Sequence, residues 1–309
     1  MLEYKSLIEL LAAFPDEKTC VEHLEKLRWP EGIICPLCGS VGKMYRLKRD
    51  FKYKCSDCSQ TFSVRKGTIF EESRLPLQKW FAASWLVTTN RKGISSPQLA
   101  REIGVTQKTA WFVLGRLREV AAKMGAVGGP VGGPDGAPVE ADETYIGGKE
   151  KNKHAKKRLK SGRGTVGKQA VVGARERDGN VRAMPIASTG KADLHNFLNT
   201  HVAQGSTLYT DDHGSYLGLC GYTHESVNHS AGEYVRGKAH TNGIESFWAL
   251  LKRGHYGTFH SFSLKHLHRY IAEFSTRWNM MKLDSDQRLN SLLESTSGLR
   301  LTYKRLIAA

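Results

Sequence analysis

"HTNGIESFWALLKRG", residues 240–254, decides how the second half of the chain is read. Its apolar residues Ile244, Phe247, Trp248, Leu250 and Leu251 recur at helical spacing and belong in a core. Asn242, Glu245 and Lys252 form a second row. Glu245 lies three residues after Asn242 and seven before Lys252, just under one and two helical turns, so the three side chains stand roughly above one another. A polar row beside a buried face needs a partner.

Two other segments carry clustered acids: "EADET" at 140–144 and "YTDDHGSY" at 209–216. Each is expected to place its acids at the end of a β-strand. Carboxylates gathered from distant segments repel one another unless positive charge lies between them. A hard divalent cation supplies that charge through oxygen ligands, and Mg²⁺ takes one or two protein carboxylates while keeping waters and substrate phosphate. Two such ions, about 3.5–4 Å apart, suit in-line displacement at phosphorus.

Composition points the same way. The chain has 309 residues, with 46 Lys plus Arg against 30 Asp plus Glu, a formal charge of +16 and a pI near 9.6. Such a balance draws the protein to polyanions, nucleic acid first. The longest apolar run, "WFAASWLV", is far too short to cross a bilayer. The opening "MLEYKSLIELLAAFPDEKTC" mixes acids and bases through its apolar positions and does not read as a signal peptide. A cytoplasmic, nucleoid-associated bacterial protein of two or three domains is expected.

Four of the six cysteines form Cys35-Pro-Leu-Cys38 and Cys55-Ser-Asp-Cys58, 16 residues apart. That spacing fits a four-thiolate zinc site, and a reducing compartment disfavours the disulfide alternative. "GSVGKMYRLKRDFKYK" between the pairs reads as a hairpin and "QTFSVRKGTIF" after them as a further strand, the layout of a zinc ribbon. A closed structural site shapes a surface and does not catalyse. Cys20 and Cys220 lack any such spacing and are expected to be packed residues.

The expected organisation runs from an N-terminal helical segment (1–30) through the ribbon (31–70) to a helix-turn-helix domain (75–123). Within the latter, "PLQKWFAASWLVTT" reads as an amphipathic helix, followed by "SSPQLAREIGV" with a Ser cap and "TQKTAWFVLGRLREVA" with Thr106 as cap. Gly104 marks the turn, and the second helix of the motif would turn Gln107, Lys108 and Trp111 toward DNA. An ordinary helical hairpin is the competing reading, with Arg116 and Arg118 on a solvated face.

A Gly/Pro-rich linker is expected at 124–138, then a mixed α/β domain at 139–282 and a helical tail at 283–309. Its strands are "PVEADETYIGG", a hairpin "KQAVVGARERDGNVRAMPIAS" turning at Asp178-Gly179, and "STLYTDD"; "KADLHNFLNTHV" and "SFSLKHLHRYIAEFSTRWNMM" are helices. The basic block 147–168, with Lys149, Lys151, Lys156, Lys157 and Arg158, is too polar for a core and suits a loop lying along phosphates.

These blocks, in order, resemble the bacterial insertion-sequence transposases with an N-terminal zinc ribbon, the family numbered fifteen ninety-five. The match rests on "CPLCGS…YKCSDCSQTFSVRKGTIFEESRLPLQKWF", "ISSPQLAREIGVTQKTAWFVLGRLR", "VEADETYIGGKEK", "LYTDDHGSY" and "HTNGIESFWALLKRGHYGTFH". The resemblance implies a ribonuclease-H-like core, a mixed sheet with flanking helices, carrying an Asp-Asp-Glu or Asp-Asp-Asn triad. It also implies divalent-metal-dependent cutting and joining of DNA at terminal inverted repeats. On this chain the first acid matches Asp142 and the second Asp211. The third matches either Asn242 or Glu245, and Lys252 matches the basic residue that holds DNA near the cleaved phosphate.

Of the third candidates, Glu245 is the stronger ligand for a hard cation. Asn242 is left to ligate through its amide oxygen or to orient a water. Glu143 and Asp212, on a persisting strand, face away from Asp142 and Asp211. His213, His240, His255 and His260 are expected as phosphate or core contacts, since imidazole is a poor Mg²⁺ ligand. The resulting expectation is a DDE-type transposase using two Mg²⁺ or Mn²⁺ ions and one structural Zn²⁺. It would act on double-stranded terminal repeats and target DNA as a dimer or larger homo-oligomer, with Arg253 beside Lys252 as a DNA contact. A non-catalytic DNA-binding regulator and a structure-selective nuclease are the alternatives.

Overall fold

The computed structural model describes residues 3–47, 51–148, 153–159, 164–227 and 240–308. The chain divides into two units, Met1–Met124 with Met280–Ala309, and Gly125–Asn279.

The first unit opens with helices α1 (Leu7–Ala13) and α2 (Glu17–Arg28), each started by a side-chain cap. Ser6 accepts from the Glu9 amide and Asp16 from the Thr19 amide, satisfying donors that the first turn leaves unpaired. Strands β1 (Met44–Leu47), β2 (Lys52–Cys55) and β3 (Thr61–Ser63) form an antiparallel sheet in chain order. In β2 the pleat buries Tyr53 and Cys55 and exposes Lys52 and Lys54, while Trp29 meets Tyr53 and Phe62 edge-on. Only Thr61–Ser63 of the expected third strand pairs. Beyond it the backbone turns, because the buried Glu71 carboxylate draws in the Gly67 amide (2.9 Å) and the Lys66 ammonium (2.7 Å).

Helix α3 (Leu77–Thr89) is buried on nearly every side, where the sequence suggested an amphipathic helix. The difference comes from its neighbours: α1, α2, α4 (Ser96–Ile103) and α9 (Ser285–Glu294) all pack on it. The residues read as a separate C-terminal tail thus complete the first unit's core. The Tyr4 hydroxyl donates to Asn290 of α9 at 3.2 Å, and Leu289, Leu292 and Leu293 join the cluster of Leu10, Phe14 and Trp80.

Helices α4 and α5 (Gln107–Val127) are bounded by the caps and turn glycine read in the sequence. Ser95 accepts from the Gln98 amide, Gly104 closes α4 in the left-handed conformation, and Thr106 accepts from the Thr109 amide. Arg116 and Arg118 correct the solvated-face reading, being only 6% and 4% exposed. The Arg116 guanidinium donates to the carbonyls of Ile69, Glu71 and Leu301, tying the segment after the ribbon to α5 and the C-terminal residues. Helix α10 (Tyr303–Ala308) sets Leu306 against Gly115 and Tyr303 beside Trp111 and Phe112.

The second unit is a five-stranded mixed sheet of order β6-β5-β4-β7-β8. β5 (Gln169–Glu176) runs antiparallel to both its neighbours, β4 (Val139–Ile146) and β6 (Val181–Pro185); β7 (Thr207–Asp211) and β8 (Thr223–Val227) run parallel to β4. This is a ribonuclease-H-like arrangement. Helix α6 (Lys191–His201) covers one face through Leu194, Phe197 and Leu198, against Val139, Ala141, Val172 and Ala174. Helices α7 (Asn242–Gly254) and α8 (Leu267–Asn279) cover the other, through Ile244, Phe247, Leu251, Ile271 and Phe274, against Val171 and Ile146. Strand alternation on β4 and β5 assigns these residues to the two layers.

β8 was not anticipated. Its burial alternates along Thr-His-Glu-Ser-Val, a polar edge strand with little hydrophobic signal. The Gly/Pro stretch is also more anchored than a linker. α5 runs into it as far as Val127, and Val131 is buried, exchanging backbone hydrogen bonds with His201 and Ala203.

Candidate active site and zinc centre

The four cysteines converge. Cys35 and Cys58 sulfurs are 3.8 Å apart, as are those of Cys38 and Cys55, and all four lie within 4.8 Å of one another. A tetrahedral ion with Zn–S bonds of about 2.3 Å requires sulfur separations of about 3.8 Å, so the cluster fits zinc. Turn hydrogen bonds, Gly39 N to Cys35 O and Cys55 N to Gln60 O, hold the two knuckles. Cys20 is buried as expected; Cys220 is instead exposed.

In the second unit, β4 pairs with β7 at Val139↔Leu208 and Glu140↔Tyr209. The same offset continued leads to Asp142 on β4 and Asp211 on β7, whose carboxylates are near enough to repel. The pairing of β4 with β7 ends at Glu140↔Tyr209, two residues before them. Asp142 sits in the middle of β4, not at a strand end as the sequence suggested, while Asp211 is the last residue of β7.

Asp142 points to the α7 layer, where the Trp248 indole N–H donates to its Oδ2 at 3.0 Å. Trp248 reaches it because position 173 on β5 is glycine: a β-carbon there would lie 2.7 Å from the indole. Burial, then repulsion from Glu143 and Asp211, pushes the Asp142 carboxyl up to about 7. Glu143 faces the α6 layer, as strand alternation requires. It accepts from the buried Tyr216 hydroxyl at 2.6 Å and lies 4.0 Å from His213 Nδ1. Burial, together with Asp211, raises it as well, against the lowering effect of the Tyr216 hydrogen bond.

Asp211 accepts from the His213 amide at 3.1 Å. Asp212 lies past the end of β7 and is exposed. On α7, Asn242 and Glu245 are both exposed, and Glu245 Oε1 accepts from the Thr241 hydroxyl at 3.1 Å. Glu245 stands three residues before Trp248 on α7. Lys252 is half-buried and Arg253 exposed. Among the described residues, the four cysteines are the only group of three or more His, Cys, Asp or Glu close enough to share one ion. Asp142, Glu143 and Asp211 are close enough for their charges to interact, while Glu245 is held by Thr241 at the start of α7.

Of the histidines, His255 is a core residue against Phe262, and His240 lies 3.5 Å from Glu140. His213 meets Glu143, and His260 is exposed. Gln107 is exposed but donates to Ser96 within the helix pair (2.9 Å), and the Lys108 ammonium lies over the Tyr303 ring. Lys156 and Arg158 are exposed, and Arg158 donates to the Lys153 carbonyl. Lys149, Lys151 and the side chain of Lys157 lie outside the described residues. No helix of the described residues is long and apolar enough to cross a membrane.

Sequence reasoning missed Glu140 and Trp248. Glu140 lay in plain sight inside "EADET", but its burial was not legible; Trp248 reads as core until the glycine beneath it is known.

Residues 133–279 match the ISXO2-like transposase domain, and residues 15–61 the transposase zinc-ribbon domain. The chain is 30% identical over 303 residues, covering 92% of this chain and 98% of the relative, to an uncharacterized protein in transposable element ISH50 of Halobacterium salinarum. No solved structure matches. With a thiolate cluster of zinc geometry ahead of a ribonuclease-H-like sheet, the chain belongs to the IS1595-type DDE transposases.

Proposed function

We propose that this transposase binds the terminal inverted repeats of an insertion sequence and carries out both phosphodiester hydrolysis and strand transfer. What supports the reading is the repulsion between Asp142 on β4 and Asp211 on β7, together with the packing of α7, which carries Glu245, on β4 through the Trp248–Asp142 hydrogen bond. Asp142, Asp211 and Glu245 are the hard oxygen donors that would hold two Mg²⁺ or Mn²⁺ ions, and Asn242 is the alternative third ligand. Bound there, such ions supply Lewis acidity toward the scissile phosphate. The chain's own contribution is orientation: Trp248 fixes Asp142, Thr241 steadies Glu245, and Lys252 with Arg253 holds the DNA backbone beside the acids.

The zinc ribbon and helix-turn-helix would read the repeat, with Gln107 and Lys108 on the second helix and Lys149, Lys151, Lys156, Lys157 and Arg158 along phosphates. Two element ends must be processed together, which favours a homodimer or larger assembly on DNA.

The test is a joining assay on labelled element ends with Mg²⁺, against a chelator control and an Asp142→Asn variant. End-joined products from the wild-type chain, absent from the variant with end binding retained, are expected. Joining by Asp142→Asn would remove the assignment of Asp142, and cleavage without joining would make the protein a nuclease.

A further inference from the structure

Helix α7 has no cap of its own. Thr241, at the N-cap, makes no side-chain hydrogen bond to the first-turn amides and directs its hydroxyl to Glu245 instead. The first amides of a helix need a partner when they are buried. Here the partner comes from the sheet: Glu140 on β4, 1% exposed, accepts from the Ile244 amide through Oε2 at 2.9 Å. Its other oxygen accepts from Arg177 Nε at 3.0 Å and lies 3.5 Å from His240 Nδ1. Arg177 in turn donates to the His240 carbonyl and lies over the Tyr209 ring on β7.

The junction is tight from the helix side too. A β-carbon at Gly243 would lie 2.5 Å from Glu140 Oε2 and 1.7 Å from a guanidinium nitrogen of Arg175. Arg175 is itself placed over the Trp278 ring of α8. A buried carboxylate with this many partners is costly to leave unpaired, so the helix start cannot drift from the strand. Glu140 lies two residues before Asp142 on the same face of β4, and Glu245 immediately follows the amide that Glu140 holds.

We propose that Glu140 is a positioning residue for catalysis: its carboxylate pins the start of α7 to β4 and thereby sets the spacing between Asp142 and the third ligand of the metal site. This role rests on the transposase reading above. It assigns Glu140 no contact with DNA or metal. It explains why a glycine occupies position 243, next to the candidate ligand Asn242.

The experiment compares wild type, Glu140→Gln, Gly243→Ala and Asp142→Asn as full-length proteins on element-end DNA. Glutamine keeps the shape and loses the charge; alanine at 243 disturbs the same contact from the helix. Two quantities are read: the Mg²⁺ concentration giving half-maximal cleavage, and amide hydrogen exchange over residues 242–248. Both Glu140→Gln and Gly243→Ala are expected to raise the half-maximal Mg²⁺ by roughly 10–100-fold, the usual effect of losing a partner that orients a ligand. End-binding affinity should be unchanged, and exchange at the α7 start faster. A purely global loss of stability would lower the active fraction without shifting the Mg²⁺ midpoint, and would overturn the proposal. So would wild-type Mg²⁺ dependence and wild-type exchange in both variants. If wild type does not cleave, or Asp142→Asn does, the transposase reading fails instead, and the exchange data alone then decide whether Glu140 holds the helix.

Discussion

The Trp248 indole donates to Asp142 Oδ2 across 3.0 Å, joining a helix side chain otherwise packed in the core to the first candidate acid. The bond favours the charged form of a carboxyl that burial and two neighbouring acids push up to about 7. Trp248→Phe keeps most of the volume and removes the donor. Cleavage is expected to fall roughly 10–100-fold with end binding retained; kinetics under single-turnover conditions check it.

Gly173→Ala tests the same contact from below. The added carbon meets Trp248 at 2.7 Å, and both lie in a packed layer that cannot give way freely. A loss of about 1–3 kcal/mol in the unfolding of the second unit is expected, measured by urea titration. Cleavage should fall along with it, because the indole must shift from Asp142.

Arg116→Met separates a structural arginine from a DNA contact. The side chain is buried and serves three carbonyls, which methionine leaves without their donor. Destabilisation of about 2–5 kcal/mol is expected by thermal or denaturant unfolding. A solvated arginine would cost almost nothing.

Zinc should be present at one ion per chain, and its removal should unfold the ribbon. The four thiolates are the centre around which β1 to β3 and their turns are arranged, with Trp29, Tyr53 and Phe62 packed beside them. Cys38→Ser is expected to abolish stoichiometric zinc by atomic absorption and to weaken end binding. Circular dichroism of the second unit's helices should persist.

His23 gives the first unit an acid-sensitive limb. It packs between Phe14 and Phe81, with Nε2 2.8 Å from Asn290 Oδ1. Burial, with a smaller push from Lys26, lowers its imidazole below the ordinary 6.5, against the raising effect of Asn290. The folded value is depressed, so the unfolded chain takes up the proton first. Stability from this group is therefore full above 6.5 and is lost as pH falls through the folded value. His23→Gln should flatten that dependence, seen by comparing urea midpoints above and below the ordinary imidazole value.

The strands β4 to β7, helix α7 and the cysteine pairs were readable because periodicity, turn residues and ligand spacing are local signals. Asp142 and Asp211 stood out as acids, but their adjacency depends on the β4–β7 register, which no local pattern contains. Arg116 and α3 were misread for a common reason. Whether an arginine or an apolar helix meets solvent is decided by segments far away, here Leu301 and α9. Glu140 was hidden in the same way, since only the arrival of α7 turns a strand acid into a helix cap. β8 left no hydrophobic trace because one edge of it is wet.

The return of α9 to the first unit has a consequence for how the protein is made. Tyr4 and Asn290 meet, and α3 is enclosed only when residues 285–294 arrive. During synthesis the whole of the β4–β8 sheet therefore emerges before the surrounding unit can close its interior. A nascent chain can complete its sheet first and the interior around α3 last.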